Sequence, residues 1–337
     1  MSSWPITVDT NGAVALGSGV VCDGYRRHAK IRVQTHVHHD HMRRFESSKG
    51  VHDILMFRGT RDLLIADGSS DLAYRENVHV IDHGKPIETS VGTIRLLDSG
   101  HMLGAAQVEV TLPSGDRLGY SGDFAWPLDE VVQVDALVVD ATFGSPSSVR
   151  TFTQGVAEAA FLELVISCLR RGPVLVKAHF GTLHRAACLL TGAVDAPLLV
   201  SRSVERQIRV YQDHGYPIEV LPISDETLAT NRYVRILGYR DGGFPTRLPT
   251  GSSQLVLSGF RSSFPDPILT YREGVSYRVC LSDHADFEQT LAYIEATGAK
   301  RVLVDNTRGG NAVALAMEIR SRLGVAALYD IADDDPY

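Results

Sequence analysis

From about residue 134 the chain alternates short, wholly apolar runs with helical stretches, a rhythm that leaves few folds open. The runs Ala136–Val139, Pro173–Val176 and Pro197–Val200 lack the polar alternation of a strand with one wet face, so they read as strands buried on both sides. Helical stretches over Gly155–Arg170, Arg185–Thr191 and Ser203–His214 accompany them. Repetition of strand and helix in this order needs crossover connections, and crossovers build a parallel sheet. A turn-rich stretch from Tyr239 to Ser253 leads to a strand at Gln254–Leu257. The C-terminal part resumes the alternation with helix Phe287–Thr297, strand Arg301–Val304, helix Ala312–Leu323 and strand Ala326–Tyr329, with Gly298 expected as a helix C-cap.

The first third has a different texture. It reads as short strands at Ala13–Leu16, Ile31–Gln34, Val78–Ile81, Thr93–Leu97 and Val108–Leu112, punctuated by turn signals such as Asn11-Gly12 and Pro113-Ser114-Gly115-Asp116. The second signal is expected at the tip of a hairpin joining Val108–Leu112 to Arg117–Tyr120. No internal repeat, low-complexity tract or long linker interrupts the chain. With 337 residues, 44% hydrophobic and 22% charged, there is material for one large domain or two ordinary ones, each with a core.

Several classes are disfavoured at this level. No apolar run reaches the length of about 20 residues that spans a bilayer. The N-terminal residues lack the basic and apolar regions of a signal peptide. Four cysteines, Cys22, Cys168, Cys188 and Cys280, form no C-x-x-C pair, so neither a zinc knuckle nor a disulfide framework is indicated. A cytoplasmic setting is the expectation. The formal charge of −7 argues against broad coating of nucleic acid. It leaves room for a local basic strip beside a site where divalent cations offset carboxylates.

The chemistry concentrates in His36-Val37-His38-His39-Asp40-His41, directly after the strand Ile31–Gln34. A strand running into a loop throws alternate side chains to one side, so His36 and His38 can converge on one ion. Asp40 and His41 then turn away and can serve a second. Imidazole and carboxylate together suit Zn²⁺ and admit Mn²⁺ or Fe. Three further ligand-type residues follow at element ends: His101 in Ser99-Gly100-His101-Met102-Leu103-Gly104, Asp123 in Ser121-Gly122-Asp123, and His284 in Ser282-Asp283-His284-Ala285-Asp286. Glycines beside the first two allow close backbone approach to a crowded site. A single carboxylate at Asp123 could bridge two ions.

The series T-H-V-H-H-D-H, S-G-H-M-L-G-A, S-G-D-F, D-A-T-F-G and S-D-H-A-D-F resembles the metallo-β-lactamase superfamily and, within it, the β-CASP nucleases. The resemblance runs from about residue 15 to 330. The C-terminal motifs look most like the bacterial DNA ligase-associated exonucleases and mRNA 3′-end processing-factor-like proteins. It implies an α/β fold, an αββα sandwich made by residues 1–145 and 266–337, with a β-CASP α/β domain on a parallel sheet inserted over 146–265. It implies two divalent metal ions, Zn²⁺ with Mn²⁺ as the other candidate. His36, His38 and His101 would hold the first, Asp40, His41 and His284 the second, and Asp123 would bridge. Asp140, in Val139-Asp140-Ala141-Thr142, matches the acidic motif that opens the inserted domain, where it orients a ligand or handles a proton.

The implied reaction is hydrolysis of a nucleic-acid phosphodiester. Two cations supply Lewis acidity and lower the pKa of water toward neutrality. Asp40 or Asp123 is then a candidate to accept a proton and Asp140 to supply one to the leaving oxygen. Candidate phosphate contacts are Arg43 and Arg44 beside the first motif, Arg261 after Gly259, and Arg202, Arg206 and Arg209, which share one helical face. Thr182, in the loop that Lys177, His179 and His184 flank, precedes a helix whose amides could take phosphate. The chain departs from the family pattern twice. Ser258 through Cys280 contain no histidine, and Val304-Asp305-Asn306 stands where the family has V-H-G. Both changes bear on leaving-group protonation. The expected partner is single-stranded DNA or RNA, together with a DNA ligase or another repair or processing protein. His284 points toward RNA and the ligase-associated resemblance toward DNA. Two other readings remain open: a small-molecule hydrolase on the same metal scaffold, against which the long insertion speaks, and a non-catalytic scaffold subunit, against which seven filled ligand positions speak.

Overall fold

The computed structural model of the protein describes residues 4–259, 265–272 and 274–329. Among them the chain is mixed α/β and forms three sheets with strands in mostly parallel pairs. Contacts divide it into two compact units, Met1–Ser148 with His284–Tyr337, and Val149–Asp283.

In the first unit, one sheet runs in the order Ile6–Val8, Val14–Leu16, Val20–Cys22, Ile31–Val33, Asp53–Phe57, Val78–Ile81. Its first two pairings are antiparallel and the remaining three parallel. The other sheet runs Ala326–Leu328, Arg301–Val304, Ala136–Val139, Arg117–Tyr120, Ala106–Thr111, Gly92–Asp98, Ile87–Thr89. It is parallel from Ala326–Leu328 to Arg117–Tyr120 and antiparallel beyond.

The two sheets share one core. Val14, Leu16, Val20, Val33, Leu55 and Phe57 from the first meet Leu96, Val108, Val110, Leu118, Val138 and Leu303 from the second. Each such side chain contributes about 1.5–3 kcal/mol by leaving water. Strand periodicity then sends Ile54 and Met56 to the opposite face, where Phe45, Leu64 and Leu72 cover them. Both faces of Asp53–Phe57 are thus filled, which is why that strand has no polar alternation to read.

The second unit is built on a sheet ordered Leu221–Pro222, Leu198–Val200, Val234–Gly238, Val174–Ala178, Ser253–Leu257, Ser276–Val279, Ile268–Arg272. Every pairing is parallel except that of the last two strands. Helices Gln154–Leu169, Thr182–Leu190 and Arg202–Asp213 belong to this unit. Thr153 and Ser201 cap the first and third by accepting from Val156 and Val204 amides.

Many of the expected elements coincide with these. The hairpin between Ala106–Thr111 and Arg117–Tyr120 forms, with Gly115 at positive φ. Gly298 ends helix Phe287–Thr297 in the left-handed region. Two differences stand out. The first third holds the helix Arg58–Ala66 and three parallel pairings, where only short strands and turns are expected. Gly59 interrupts the helical signal, because its missing side chain leaves room for Leu103 and Gly104. The strands Ile268–Arg272 and Ser276–Val279 fall on the outer-domain side of a boundary at residue 266. They hydrogen-bond instead into the sheet of the second unit. No helix among the described residues is long and apolar enough to cross a membrane. The four cysteines are free.

Candidate metal centre

The first unit gathers its polar residues at the C-terminal ends of neighbouring strands. Ile31–Val33 ends just before His36, and the chain continues extended through His38 (φ −61°, ψ 143°). A single 3₁₀ turn over His39–His41 follows, closed by the His41 amide donating to the His38 carbonyl at 3.0 Å. That turn brings His41 back beside His36, their ring centroids 4.0 Å apart, and leaves His39 exposed. Gln34 braces the loop from below. Its amide Nε2 donates to the carbonyls of His36 at 2.7 Å and His41 at 3.2 Å.

The other loops are locked to this one. Gly104 has φ +78°, and a Cβ there would lie 2.3 Å from the Thr60 amide nitrogen. Only glycine lets the His101 loop sit so close to helix Arg58–Ala66. Ser99 Oγ donates to the Asp123 carbonyl at 2.7 Å, and the Ala285 amide donates to the Phe124 carbonyl at 2.7 Å. Gly122, at φ +56°, turns the chain so that Asp123 enters the cluster.

Asp123 is the hub. Its Oδ2 lies 3.3 Å from His36 Nε2, 3.8 Å from His38 Nδ1, 3.6 Å from His101 Nε2 and 3.9 Å from His284 Nε2. Its Oδ1 lies 3.1 Å from His41 Nε2. His38 Nδ1 is 3.1 Å from both His36 Nε2 and His101 Nε2. Asp40 stands at the edge, its side chain 47% exposed and its Oδ2 3.8 Å from His41 Nε2. Asp140 accepts from the Thr142 amide and hydroxyl at 2.9 and 2.8 Å, and its Oδ2 is 3.4 Å from His284 Nδ1.

Burial and charge set the protonation of these groups. Burial, seconded by the positive His41, pushes His36 down to about 4. Burial followed by His284 holds His101 well below its ordinary value. His41 goes the other way: burial opposes its charge, yet the Asp123 and Asp23 carboxylates raise it to about 10. Burial likewise works against ionised Asp23, but His41 brings it to about 2. Asp123 is held well below the carboxylate range, again against burial, by His41 and His36.

Three overlapping groups have ligand atoms close enough to share an ion: His36, His38, His101 and Asp123; Asp23, His36 and His41; and Asp123, Asp140 and His284. One buried atom tests whether a cation fits: His41 Nε2, 3.1 Å from Asp123 Oδ1 and 3.8 Å from Asp40 Oδ2, makes no hydrogen bond. A buried polar atom left unpaired costs about 1–3 kcal/mol, and a divalent cation among these ligands would satisfy that nitrogen. Neutral imidazole with carboxylate is also the donor set that Zn²⁺ prefers.

The outlying candidates are placed less uniformly. Arg43 Nη2 donates to the Thr307 carbonyl at 3.2 Å. Arg44 is exposed, its guanidinium 4.6 Å from the Tyr25 ring. In the second unit Arg202, Arg206 and Arg209 are exposed along one helix face. Thr182 is buried and its hydroxyl donates to Asp283 Oδ2 at 2.7 Å, which turns that hydroxyl away from ligand duty. His179 stacks on Tyr239 at 3.6 Å, His184 stacks on Tyr211 at 4.0 Å, and Lys177 Nζ donates to the Gly242 carbonyl at 2.8 Å. Arg261 lies outside the described residues.

Sequence reasoning missed the groups behind the rings. Asp23 is fully buried and takes His41 Nδ1 at 2.7 Å. Arg32 is fully buried and donates to the Gly24, His41 and Arg43 carbonyls, to Ser48 Oγ and to Gln34 Oε1. Arg308 pairs with Asp305 through its Nη1. The available signal was an arginine inside an otherwise apolar strand, Ile31-Arg32-Val33, and an aspartate just after Val20–Cys22.

No family model matches the chain. A stretch of 138 residues, 40% of the chain, is 35% identical to a protein of Acidianus ambivalens described as an uncharacterized protein in the lig 3′ region, and covers 98% of it. The chain belongs to that protein's family. This lig 3′-region relative resembles it in less than half its length; a broader match is 27% identical over 301 residues, 86% of the chain, to a probable DNA ligase of Opitutus terrae. The chain spans 27% of the length of that ligase-named protein. Among solved structures, a protein of unknown function from Enterococcus faecalis V583 superposes with a TM-score of 0.58 at 12% identity, over 81% of this chain and 74% of that one. That likeness speaks for the fold alone.

Proposed function

We propose that this protein is a metal-dependent nuclease that hydrolyses phosphodiester bonds in DNA or RNA. In this reading the first unit is a metallo-β-lactamase αββα sandwich and the second an inserted β-CASP domain. Two divalent cations, Zn²⁺ or Mn²⁺, would be held by His36, His38 and His101 and by Asp40, His41 and His284, with Asp123 between them. The observation that carries the reading is the convergence of five histidines, from three separate stretches of chain, to within 3.1–3.9 Å of Asp123. Likeness to a protein named for the lig 3′ region and to one named a probable DNA ligase supports nucleic acid as substrate and a DNA ligase as working partner.

Bound cations would supply Lewis acidity and bring water's pKa toward neutrality. The protein's own residues divide the remaining work. Asp40 is the carboxylate open to solvent, so it is placed to accept a proton and pass it outward. Asp140 has both oxygens engaged, on Thr142 and on His284 Nδ1, and orients His284. Asn306, exposed at the end of Arg301–Val304, occupies the position where the family carries histidine. Its amide can donate a hydrogen bond to a phosphate oxygen but cannot supply a proton at neutral pH.

The test incubates the purified protein with Zn²⁺ or Mn²⁺ and end-labelled single-stranded RNA, single-stranded DNA and duplex DNA in parallel. Metal-dependent product ladders are expected, with nucleic-acid type and polarity read from the same gel. Absence of cleavage of all three, with metal bound, would overturn the proposal.

A further inference from the structure

Asp23 Oδ2 receives two side chains. It accepts from His41 Nδ1 at 2.7 Å and from the Thr35 hydroxyl at 2.5 Å. Its Oδ1 accepts from the Thr35 amide at 2.8 Å and from Gln34 Nε2 at 3.2 Å. Four donors therefore saturate this carboxylate from behind the imidazoles, so although Asp23 lies among groups able to share an ion, it serves as a bracing group and not as a ligand. The Thr35 oxygen also lies 3.0 Å from His36 Nδ1.

A threonine hydroxyl carries one proton. At 2.5 Å from an ionised carboxylate it must give that proton to Asp23, since two acceptors could not approach so closely. The remaining contact then requires a hydrogen on His36 Nδ1, donated to Thr35 Oγ1, and a bare lone pair on His36 Nε2. Asp123 Oδ2, 3.3 Å from Nε2, pulls in the opposite direction and would favour a hydrogen there. We infer that Asp23 is a shared positioning residue, acting directly on His41 and through the Thr35 hydroxyl on His36, which presets the Nδ1–H form of His36 and turns its Nε2 lone pair toward the metal site before any ion arrives. This rests on the reading of His36 and His41 as metal ligands. Under the proposed assignment the two rings serve different ions, so one carboxylate behind both would tie the two ion sites together.

The relay predicts unequal effects. Thr35→Val keeps the shape but removes the hydroxyl. It should let Asp123 draw the hydrogen of His36 onto Nε2, and weaken binding of the ion held by His36 by about 10–100-fold. Asp23→Asn should weaken both ions, and Thr35→Ser should restore wild-type behaviour. Two measurements on the full-length protein separate the possible failures. Long-range ¹H–¹⁵N spectra of the metal-free protein report the His36 hydrogen directly: Nδ1–H is expected in the wild type and in Thr35→Ser, and Nε2–H in Thr35→Val. Titration with Zn²⁺, and with Co²⁺ followed by visible absorption, reports affinity and ligand geometry. An Nε2–H His36 in the wild type would overturn the inference, and no folded variant is needed to see it. So would a folded Thr35→Val that binds both ions as the wild type does. No Zn²⁺ or Co²⁺ binding by the wild type would instead remove the metal-site reading on which the inference stands.

Discussion

Replacing Arg32 with methionine should destabilise the protein by about 3–5 kcal/mol, the usual cost of removing one member of a buried charged network. The figure can be reached from the contacts. Arg32 is fully buried, and burial lowers its pKa to about 10. Its guanidinium donates to the carbonyls of Gly24 at 2.9 Å, Arg43 at 3.1 Å and His41 at 3.1 Å, and twice to Gln34 Oε1. Methionine fills similar space but donates nothing. The His41 carbonyl keeps Gln34 Nε2 as a donor, whereas the carbonyls of Gly24 and Arg43 and the buried Gln34 Oε1 lose theirs, at about 1–3 kcal/mol each, partly offset by no longer burying a charge. At about 2–4 °C per kcal/mol for a protein of this order of size, the melting temperature should fall by roughly 6–20 °C. Arg32→Lys should recover little, because an ammonium cannot span acceptors arranged for a planar fork. Thermal melts of the metal-free proteins, followed by circular dichroism, would decide. A loss below about 1 kcal/mol for Arg32→Met, or wild-type stability for Arg32→Lys, would refute the argument that this network holds the histidine loop.

Metal uptake should depend on pH through His41. With its pKa raised to about 10, His41 is protonated in the metal-free protein, and an ion must displace that proton. Apparent affinity should therefore rise up to tenfold per unit from pH 7 toward 10 and level off above. The stability contributed by the same pair runs the other way. It is fully present below the ordinary histidine value of 6.5 and is lost as pH rises through about 10. Opposite slopes are expected from calorimetric Zn²⁺ titrations and metal-free melts at pH 7, 8 and 9; parallel slopes would sink the assignment. Asp123→Asn should cut Zn²⁺ affinity by about 100-fold or more, beyond the range seen for outer partners, measured by competition with a chelator; near-native affinity would remove Asp123 from the centre. Finally, replacing Arg202, Arg206 and Arg209 together by alanine should weaken single-strand binding alike for all sequences. If each meets a phosphate, the slope of log affinity against log salt should fall by about 2, as read by fluorescence anisotropy; an unchanged slope would make these residues an ordinary solvated face.

Much of this was legible in the residues alone, for one physical reason: those features are local. The 2-residue period of a strand end placed His36 and His38 together, and the apolar runs at Ala136–Val139 and Pro197–Val200 announced buried parallel strands, found at Ala136–Val139 and Leu198–Val200. Glycines at 104, 122 and 298 marked the turns that need positive φ. Tertiary structure decided what no local pattern encodes. It set which loops meet at Asp123, and it paired Ser276–Val279 with Ser253–Leu257 and Ile268–Arg272 with Ser276–Val279. It also drew Asp23, Thr35, Arg32 and Gln34 into a buried network behind the rings. Alone in sequence, Asp23 is an ordinary polar residue after a strand and Arg32 an isolated one within a strand. Arg32 lies on the face of its sheet turned away from the shared core, beside Ile54 and under Phe45 and Ser48. Buried there away from water, it and Asp23 each have to find a partner, and the partners available are the histidines and carbonyls of the site.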